Sequence, residues 1–322
     1  MFIIDELLNK EDLINEYHLK SKNEKFLKVL SHCEKVAKNN LNILLIGEPG
    51  TGKEVLAKYI HACSPRVANK FITLHCSSYP EAMLESELFG REMPGKFEQS
   101  NNGTLFLNEV GDISETTQLK LLKTLDTKKT TRLGDGIERT IDCKIISSTS
   151  KDLYTKVKEG HYRDDFFFRI SSIVINIPPL RERPEDIGDL IEYFLKKSQE
   201  EYGINIDSID AEAKEFLYTY DYPGNLRELK TVIDRMVVLS VDGRVTKDGI
   251  PILFNIKKEI NIPKAESYKT IISFKEYKKE SEASYLQWVL DQTGGNVTEA
   301  ARKLDISARQ LFNKINEYDL KK

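Results

Sequence analysis

The stretch Gly47-Glu48-Pro49-Gly50-Thr51-Gly52-Lys53-Glu54 decides the fold of this chain. It follows the short apolar run Ile43–Ile46, which is typical of a buried parallel strand, and it precedes residues 55–61, whose apolar side chains have helical spacing. The glycines let backbone N–H groups converge on an anion, the helix N-terminus adds positive potential, and Lys53 supplies a point charge. A tight glycine turn without a ligand is the alternative, but a Gly-Lys pair between strand and helix favours a phosphate site for ATP.

The composition indicates a globular chain of more than one domain. Its 322 residues leave room for two or three domains, and 40% of them are hydrophobic. Because the net charge is −3, any DNA binding must be local. No apolar run approaches the ~20 residues of a membrane span and the N-terminus has no basic-then-apolar signal, so we expect a cytoplasmic protein without a membrane partner.

The cysteines are expected to be reduced thiols. They are scattered without a CxxC pair, at Cys33, Cys63, Cys76 and Cys143. Three of them lie beside histidines, as in His32-Cys33, but these pairs lack the ligand spacing of a zinc site. No zinc is therefore expected.

Strands and helices alternate from residue 43 to about 180. Strand candidates are Ile43–Ile46, 71–76, Thr104–Asn108, Lys144–Thr149 and 173–177, and helical patterns lie near 53–62, 80–88, 115–126 and 151–158. The alternation predicts the α/β class, with a parallel five-stranded sheet that binds its ligand at the C-terminal edge of the strands. From Pro184 to about 255 the pattern is helical only. The predicted parts are a helical segment at 1–20, an α/β nucleotide-binding part at 21–182, a helical part at 183–255, a linker at 256–273 and a helical tail at 274–322.

Several ordered stretches identify the family that the chain resembles. They are the loop at 47–54, LESELFG at 84–90, GTLFL at 103–107, PPLRER at 178–183 and YPGNLREL at 222–229. From about residue 20 to its end, the chain resembles the bacterial enhancer-binding proteins, the AAA+ activators of sigma-54 RNA polymerase. In the general phosphate-loop motif a Ser or Thr that reaches Mg²⁺ follows the lysine, but this family's loop also tends to end in Lys-Glu, so Glu54 is no departure from it. Members often carry an N-terminal receiver or ligand-sensing domain, and none is expected here.

The resemblance implies an AAA+ core with a helical lid that uses ATP and Mg²⁺. Lys53 would contact the β- and γ-phosphates within a cradle formed by Gly47, Glu48, Pro49, Gly50, Thr51, Gly52 and Glu54. Glu109 would polarise the attacking water, and Arg227 would sense the γ-phosphate from the lid. Arg163 and Arg169 would reach the nucleotide of a neighbouring subunit, which makes hydrolysis depend on assembly. For each arginine the alternative is a surface salt bridge, since such ion pairs are common.

The chain departs from the family at the loop that grips sigma-54 and at three catalytic positions. Between LFG at 88–90 and GKFE at 95–98 the family's GAFTGA loop is missing, and only residues 91–94 remain. Asn108 replaces the Asp of an acidic pair, which leaves a weak Mg²⁺ site, while His75 and Ser150 replace two asparagines. These changes predict that ATP binding remains and that ATP-driven remodelling is relaxed or lost.

The tail resembles a Fis-type helix-turn-helix. Predicted helices at 281–292 and 297–304 are followed by a turn at 305–307, and Ser307 is the expected N-cap of a recognition helix. On that helix Leu311 and Ile315 would pack inward and leave outward the side chains that read base edges in a major groove, Arg309, Gln310, Asn313 and Lys314. Because Fis-type domains pair, we expect an inverted repeat in double-stranded DNA. The alternative is a merely solvated helical face.

These expectations combine into one predicted function and two alternatives. We expect an ATP-binding, DNA-binding transcription regulator with weak ATPase activity and no sigma-54 remodelling, which acts as a repressor or on another polymerase form. Its expected partners are double-stranded DNA, itself as a dimer or AAA+ ring, and RNA polymerase. The alternatives are a working sigma-54 activator ATPase and a structural AAA+ scaffold that binds no nucleotide.

Overall fold

The computed structural model describes residues 9–246, 249–250 and 273–318. The chain divides into two compact units, residues 1–254 and 255–322, each with an apolar core of its own. The predicted linker at 256–273, apart from its last residue, lies outside the described residues, and so do residues 1–8 of the predicted N-terminal segment. Within the described ranges, no helix is long and apolar enough to cross a membrane.

The first unit is built around a parallel sheet. Its strands, and a hairpin that precedes the fourth of them, are β1 (Ile43–Ile46), β2 (Phe71–His75), β3 (Thr104–Asn108), β4 (Lys129–Thr131), β5 (Glu138–Thr140), β6 (Lys144–Thr149) and β7 (Ile173–Asn176). The five-stranded sheet has the order β2-β3-β6-β1-β7, and β4 pairs with β5 in the separate hairpin. The predicted α/β class and parallel five-stranded sheet are confirmed. The hairpin was not predicted, and β2 and β7 end slightly earlier than predicted.

Helices lie on both faces of the sheet. They are α1 (Lys10–Glu16), α2 (Glu24–Ala37), α3 (Lys53–Ala62), α4 (Glu81–Phe89), α5 (Lys96–Gln99), α6 (Glu115–Thr127), α7 (Leu153–Lys158) and α8 (Asp164–Ile170). Because alternate residues of a strand point to opposite faces, Ile43 and Leu45 pack in one apolar cluster with α2 and α3, whereas Leu44 packs in another with α4, α6 and α8. The loop between β1 and α3 therefore starts from a strand that is buried on both faces.

A helical subdomain completes the first unit and is called the lid below. It consists of α9 (Pro184–Tyr202), β8 (Ser208–Ile209), α10 (Ala211–Thr219), α11 (Asn225–Val238) and β9 (Arg244–Val245). Its core includes Leu180, Leu217 and the fully buried Tyr222. The prediction of a purely helical part is wrong in one detail, because β8 and β9 form a short parallel pair.

Within the described residues of the second unit, three helices form a bundle, namely α12 (Phe274–Gln292), α13 (Val297–Lys303) and α14 (Ala308–Tyr318). Leu290, Ala300, Leu311 and Ile315 are buried in its core, so the two predicted inward residues of the last helix are confirmed. Asp305 adopts a left-handed φ of +53 in the turn between α13 and α14. Asp tolerates this conformation better than most residues, which explains how it serves where glycine is preferred.

Candidate nucleotide-binding site and helix-turn-helix

The predicted phosphate loop, residues 47–54, follows β1 at the C-terminal edge of the sheet. Gly50 and Gly52 adopt φ values of +78 and +94, in the left-handed region that favours glycine. A Cβ atom on Gly50 would lie 2.1 Å from the carbonyl oxygen of Gly224 in the lid. Only glycine therefore fits at the point where the phosphate loop meets the lid.

Lys53, at the start of α3, is buried with 7% of its side chain exposed. Its Nζ donates a hydrogen bond to the carbonyl oxygen of Gly47 at 2.8 Å and forms an ion pair with Glu109 Oε1 at 3.0 Å. Glu109 Oε2 accepts hydrogen bonds from the backbone N–H and the hydroxyl of Ser150, at 2.9 and 2.8 Å. The structure thus brings together three predicted site residues: Lys53 for the phosphates, Glu109 for the attacking water, and Ser150, which replaces a family asparagine.

The other two departures from the family contact each other. His75 ends β2, Asn108 ends β3, and the two residues are partners in the register of the sheet. The amide nitrogen of Asn108 lies 2.9 Å from His75 Nδ1, and the hydroxyl of Ser148 donates to Asn108 Oδ1 at 2.6 Å. The amide is therefore bonded at both ends, and the changes at 75 and 108 form one hydrogen-bonded pair.

The side chains around the phosphate loop do not supply the ligands of an ordinary Mg²⁺ site. In phosphate-transfer sites Mg²⁺ is held by one or two carboxylates together with the substrate phosphates. Each carboxylate within residues 47–54 and 108–112 pairs with a cation, in the pairs Glu48–Arg181, Glu54–Lys58, Glu109–Lys53 and Asp112–Lys151. Asn108 adds no negative charge, so these donors do not fit the weak Mg²⁺ site predicted there.

Two further residues, which sequence reasoning did not assign to the site, tie the phosphate loop to the lid. Arg181 donates two hydrogen bonds to the Glu48 carboxylate, at 2.7 and 2.6 Å, and holds the pKa of Glu48 down at about 2. The fully buried Asn225 has a φ of +54, donates to Glu48 and to the Pro49 carbonyl, and accepts a hydrogen bond from the Leu180 N–H at 2.7 Å. Both residues lie in the family stretches at 178–183 and 222–229, which were the signal that could have found them.

A cavity of about 320 Å³ lies beside the phosphate loop. Its walls come from the segment before α2, from α3 and from the lid, and they include Thr51, Gly52 and the predicted lid arginine Arg227. Ligand pockets have volumes of roughly 300–1,000 Å³, so the cavity has room for the base and sugar of a nucleotide. Its position beside the phosphate loop is where such a ligand would extend from the phosphates.

Arg183 is a buried cation in the wall of this cavity, and sequence reasoning gave it no role. It is 2% exposed, its guanidinium lies over the ring of Phe26 at 4.2 Å from the centroid, and burial lowers its pKa to about 10. Among the residues that the structure describes, its Nε and one terminal nitrogen have no hydrogen-bond partner. These N–H groups can donate to a ligand that carries acceptor atoms.

The predicted intersubunit arginines are not part of this cluster. Arg163 precedes α8 and pairs with Asp165 at 2.7 Å. Arg169 pairs with Asp126 at 3.0 Å and donates to the Leu125 carbonyl at 2.7 Å. Both arginines are therefore engaged within their own chain. These contacts are the surface salt bridges that were the alternative to an intersubunit role.

Residues 90–95, called the closed turn below, join α4 to α5 at the place of the family's GAFTGA loop. Gly90 and Pro94 form an antiparallel bridge across this turn. The hairpin of β4 and β5 holds it from outside, because the Leu133 N–H donates to the Gly90 carbonyl at 2.9 Å and Arg132 pairs with Glu98 through two hydrogen bonds of 2.7 and 2.8 Å. The connection between α4 and α5 is thus short and is held in place by hydrogen bonds from the hairpin of β4 and β5.

The recognition helix α14 begins at the predicted N-cap. Ser307 Oγ accepts the Gln310 N–H at 3.2 Å, and Gln310 Oε1 accepts the Ser307 N–H at 2.9 Å, which is the reciprocal arrangement of a capping box. The carbonyl end of Gln310 is therefore engaged at the helix start. Arg309 and Asn313 are exposed as predicted.

Lys314 does not face outward as predicted. It is half-buried and forms an ion pair with Glu282 of α12, which also accepts a hydrogen bond from the Tyr318 hydroxyl at 2.9 Å. Residues at i, i+3 and i+4 share one helix face, so Lys314 lies on the same side as the buried Leu311 and Ile315. The prediction of its orientation was wrong for this reason.

Three parts of the chain match known protein families. Residues 19–176 match the Sigma-54 interaction domain, residues 181–266 match the AAA+ ATPase lid domain, and residues 279–318 match the Fis family of bacterial regulatory proteins. The chain belongs to the bacterial enhancer-binding protein family, transcription regulators that join a sigma-54 activator AAA+ domain to a Fis-type helix-turn-helix. The resemblance read from the sequence is confirmed at this level.

Similar proteins include regulators from several bacteria. Regulatory protein AtoC of Escherichia coli K12 is 36% identical over 319 residues, which cover 94% of this chain and 68% of AtoC. Transcriptional regulatory protein ZraR of Klebsiella oxytoca is 34% identical over 298 residues, which cover 89% of this chain and 66% of ZraR. The crystal structure of NtrX from Brucella abortus in complex with ADP has a TM-score of 0.70 and 31% identity and covers 96% of this chain and 71% of NtrX. The chain thus spans about two thirds of the length of AtoC and ZraR.

Proposed function

We propose that this protein is an ATP-binding, DNA-binding transcription regulator that hydrolyses ATP weakly and does not remodel sigma-54 polymerase. The observation that carries the proposal is the closed turn at 90–95. It is bridged between Gly90 and Pro94 and clamped through Arg132 and Glu98, so it offers no extended loop that could grip a second protein. Repression, or regulation of another polymerase form, is the role that fits this arrangement.

ATP binding is supported by the phosphate loop and the cavity beside it. In the proposed complex Lys53 leaves Glu109 and holds the β- and γ-phosphates, while the loop N–H groups surround them. Arg227 contacts the γ-phosphate from the lid. Arg183 lies in the wall of the cavity that holds the base and sugar, and two of its nitrogens have no hydrogen-bond partner among the described residues. NtrX from Brucella abortus has been crystallised in complex with ADP and with ATP, which supports the same ligand here.

Weak turnover is proposed from the surroundings of Glu109. This residue is the one proposed to polarise the attacking water, and Ser150 donates two hydrogen bonds to one of its carboxylate oxygens, which remain after Lys53 has moved to the phosphates. Its neighbour Asn108 is uncharged and bonded to His75 and Ser148. We therefore expect steady-state hydrolysis below the range of about 1–10³ s⁻¹ that ordinary enzymes reach.

Assembly of several chains is proposed from Arg163 and Arg169. Their partners Asp165 and Asp126 have side chains that are 41% and 53% exposed, and exposed ion pairs contribute little to stability. The arginines can therefore exchange these partners for the phosphates of a neighbouring subunit when a ring forms. This is how assembly would control hydrolysis.

DNA binding is proposed for α14. Arg309 and Asn313 are exposed on this helix and are assigned to base edges in the major groove. Ser307 and Gln310 fix the start of the helix, and Lys314 braces it against α12. A pair of such domains would read an inverted repeat whose half-sites lie about one helical turn, ~34 Å, apart.

Calorimetric titration of the full chain with ATP tests the nucleotide part of the proposal. We expect a micromolar dissociation constant, about −8 kcal/mol, which is lost in Lys53→Ala. Lys123→Ala, an exposed lysine of α6, is the matched control and retains binding. If the wild-type chain binds no ATP, the scaffold alternative replaces this proposal. The match of residues 19–176 to the Sigma-54 interaction domain favours the second candidate, a working activator, which a promoter-opening assay separates from the first.

A further inference from the structure

We infer that the nucleotide site binds ATP as tightly without Mg²⁺ as with it. The inference rests on the proposed ATP binding and specifies the ionic form that the site takes. It starts from the end of β3, where the chain has Asn108 beside Glu109. A carboxylate at position 108 would do two things, namely attract a metal ion and repel phosphates that carry none.

The attraction for a metal ion is weak because the nearby carboxylates already have partners. Glu109 pairs with Lys53 at 3.0 Å and accepts two hydrogen bonds from Ser150, so both of its oxygens are engaged. Glu54 pairs with Lys58 at 3.2 Å on the next turn of α3. Once Lys53 has moved to the phosphates, Ser150 still donates two hydrogen bonds to Glu109 and Lys58 still pairs with Glu54. Positions 108 and 109 then offer a metal ion one carboxylate instead of two, and Mg²⁺ gives up its water ligands reluctantly.

The repulsion of metal-free phosphates is reduced by the same residues. Asn108 carries no charge, and its amide is held between His75 Nδ1 at 2.9 Å and the Ser148 hydroxyl at 2.6 Å. No negative charge therefore stands at position 108 to oppose the γ-phosphate.

The protein supplies cations in place of the metal. Lys53 is buried at the phosphate loop, and Arg183 and Arg227 line the adjoining cavity. Buried charges are screened by salt much less than exposed ones, so Lys53, which is 7% exposed, can balance part of the phosphate charge. The exposed Arg227 adds a second cation from the lid. The site is thus arranged for the more negative, metal-free form of the nucleotide.

Two calorimetric titrations of the full chain with ATP test this inference, one in excess magnesium chloride and one in EDTA. We expect wild-type dissociation constants that agree within about threefold, which is about 0.65 kcal/mol. Asn108→Asp restores the carboxylate and should bind ATP at least about tenfold more tightly with magnesium than without it, a difference of ~1.4 kcal/mol. Asn108→Ala removes the amide without adding a charge, so its dissociation constants in the two solutions should also agree within about threefold, whatever their absolute value.

The outcomes separate this inference from the proposed function. If wild-type affinity falls about tenfold or more in EDTA, the inference is wrong and the proposed ATP binding stands. If ATP binds in neither solution, both are wrong. Should Asn108→Asp fail to fold, the wild-type comparison in the two solutions still decides the matter.

Discussion

The guanidinium of Arg181 and the carboxylate of Glu48 form a bidentate pair, with hydrogen bonds of 2.7 and 2.6 Å, that joins the phosphate loop to the segment leading into the lid. Such charge-assisted pairs are among the stronger hydrogen bonds in proteins. The side chains of Arg181 and Glu48 are nevertheless 42% and 38% exposed, so water screens much of the attraction between them. The pair therefore acts together with the buried Asn225 to hold the lid beside the cavity proposed for the nucleotide.

Arg181→Ala should lower the free energy of unfolding by roughly 0.5–1 kcal/mol at pH 7, the range for a well-aligned exposed pair. The pKa of Glu48 is lowered from its usual 4.5 to about 2 by Arg181, so the stabilisation is present above pH 4.5 and is lost as the pH falls toward 2. Urea denaturation of both proteins at pH 7 and pH 3 measures this. Lys196→Ala, which breaks a 4.0 Å pair with Glu200, is the control and should change little. A difference between wild type and Arg181→Ala that is the same at both pH values would contradict the assignment.

Asn225→Ala should destabilise the first unit by about 1–3 kcal/mol. It leaves the buried Leu180 N–H without its acceptor, and alanine tolerates a φ of +54 poorly. Asn225→Gly removes the same hydrogen bonds but accepts the backbone conformation, so the difference between the two variants in urea denaturation isolates the strain. Two variants that both remain within about 0.5 kcal/mol of the wild type would show that this residue does not hold the loop to the lid.

Asn108→Asp should raise the steady-state rate of ATP hydrolysis, because it returns a negative charge to the residue next to Glu109. Phosphate release from the full chain measures the rate. Asn108→Ala is the control, since it breaks the contact with His75 without adding charge and should not accelerate turnover. An unchanged rate in Asn108→Asp would mean that this position does not limit hydrolysis.

Arg309→Ala should cost roughly 1–3 kcal/mol of binding to the specific DNA site and relax the sequence preference, since Arg309 is proposed to read a base edge. Lys303→Ala, a phosphate-contacting candidate on α13 that is 54% exposed, should weaken specific and random DNA to the same degree. Gel shifts with both kinds of DNA measure the two effects. If Arg309→Ala weakened specific and random DNA equally, its assignment to a base edge would be wrong.

Lys314→Ala should destabilise the helix-turn-helix, by about 0.5–1 kcal/mol, because it removes the ion pair with Glu282 that braces α14 against α12. Trp288 is the only tryptophan of the chain and lies in α12, so its fluorescence during heating reports on this unit. Lys314→Arg keeps the charge and should retain most of the stability. If Lys314→Ala unfolded at the same temperature as the wild type but bound DNA more weakly, the original prediction that Lys314 faces DNA would be restored.

The sheet was predictable from the sequence because its strands are short apolar runs bounded by turn residues. Ile43–Ile46 and Thr104–Asn108 have the predicted bounds, and helix α3 begins at Lys53 as the glycine loop requires. The hairpin of β4 and β5 was not predictable in the same way, because residues such as Lys129, Thr131 and Glu138 are polar and show no alternating pattern.

The side-chain partners within the site could not be read from the sequence. The contact between His75 and Asn108 depends on β2 and β3 being neighbours in register, and strand order is a property of the whole sheet. The pair of Glu48 and Arg181 joins residues far apart in the chain through the placement of the lid. The residue types of the phosphate loop were enough to predict a phosphate site. Which of its charged side chains are already paired within the protein depends on tertiary packing.

Open-complex formation on a supercoiled sigma-54 promoter is the measurement that tests most directly whether this regulator has lost the remodelling of sigma-54 polymerase. The assay combines the purified full chain, ATP and sigma-54 RNA polymerase, with a family activator that carries the GAFTGA loop as positive control. We expect no open complexes with this chain even where it occupies its upstream DNA site, because the bridged turn between Gly90 and Gly95 is proposed to offer no extended loop that grips sigma-54. Robust ATP-dependent open-complex formation would contradict the account and establish the chain as a working activator.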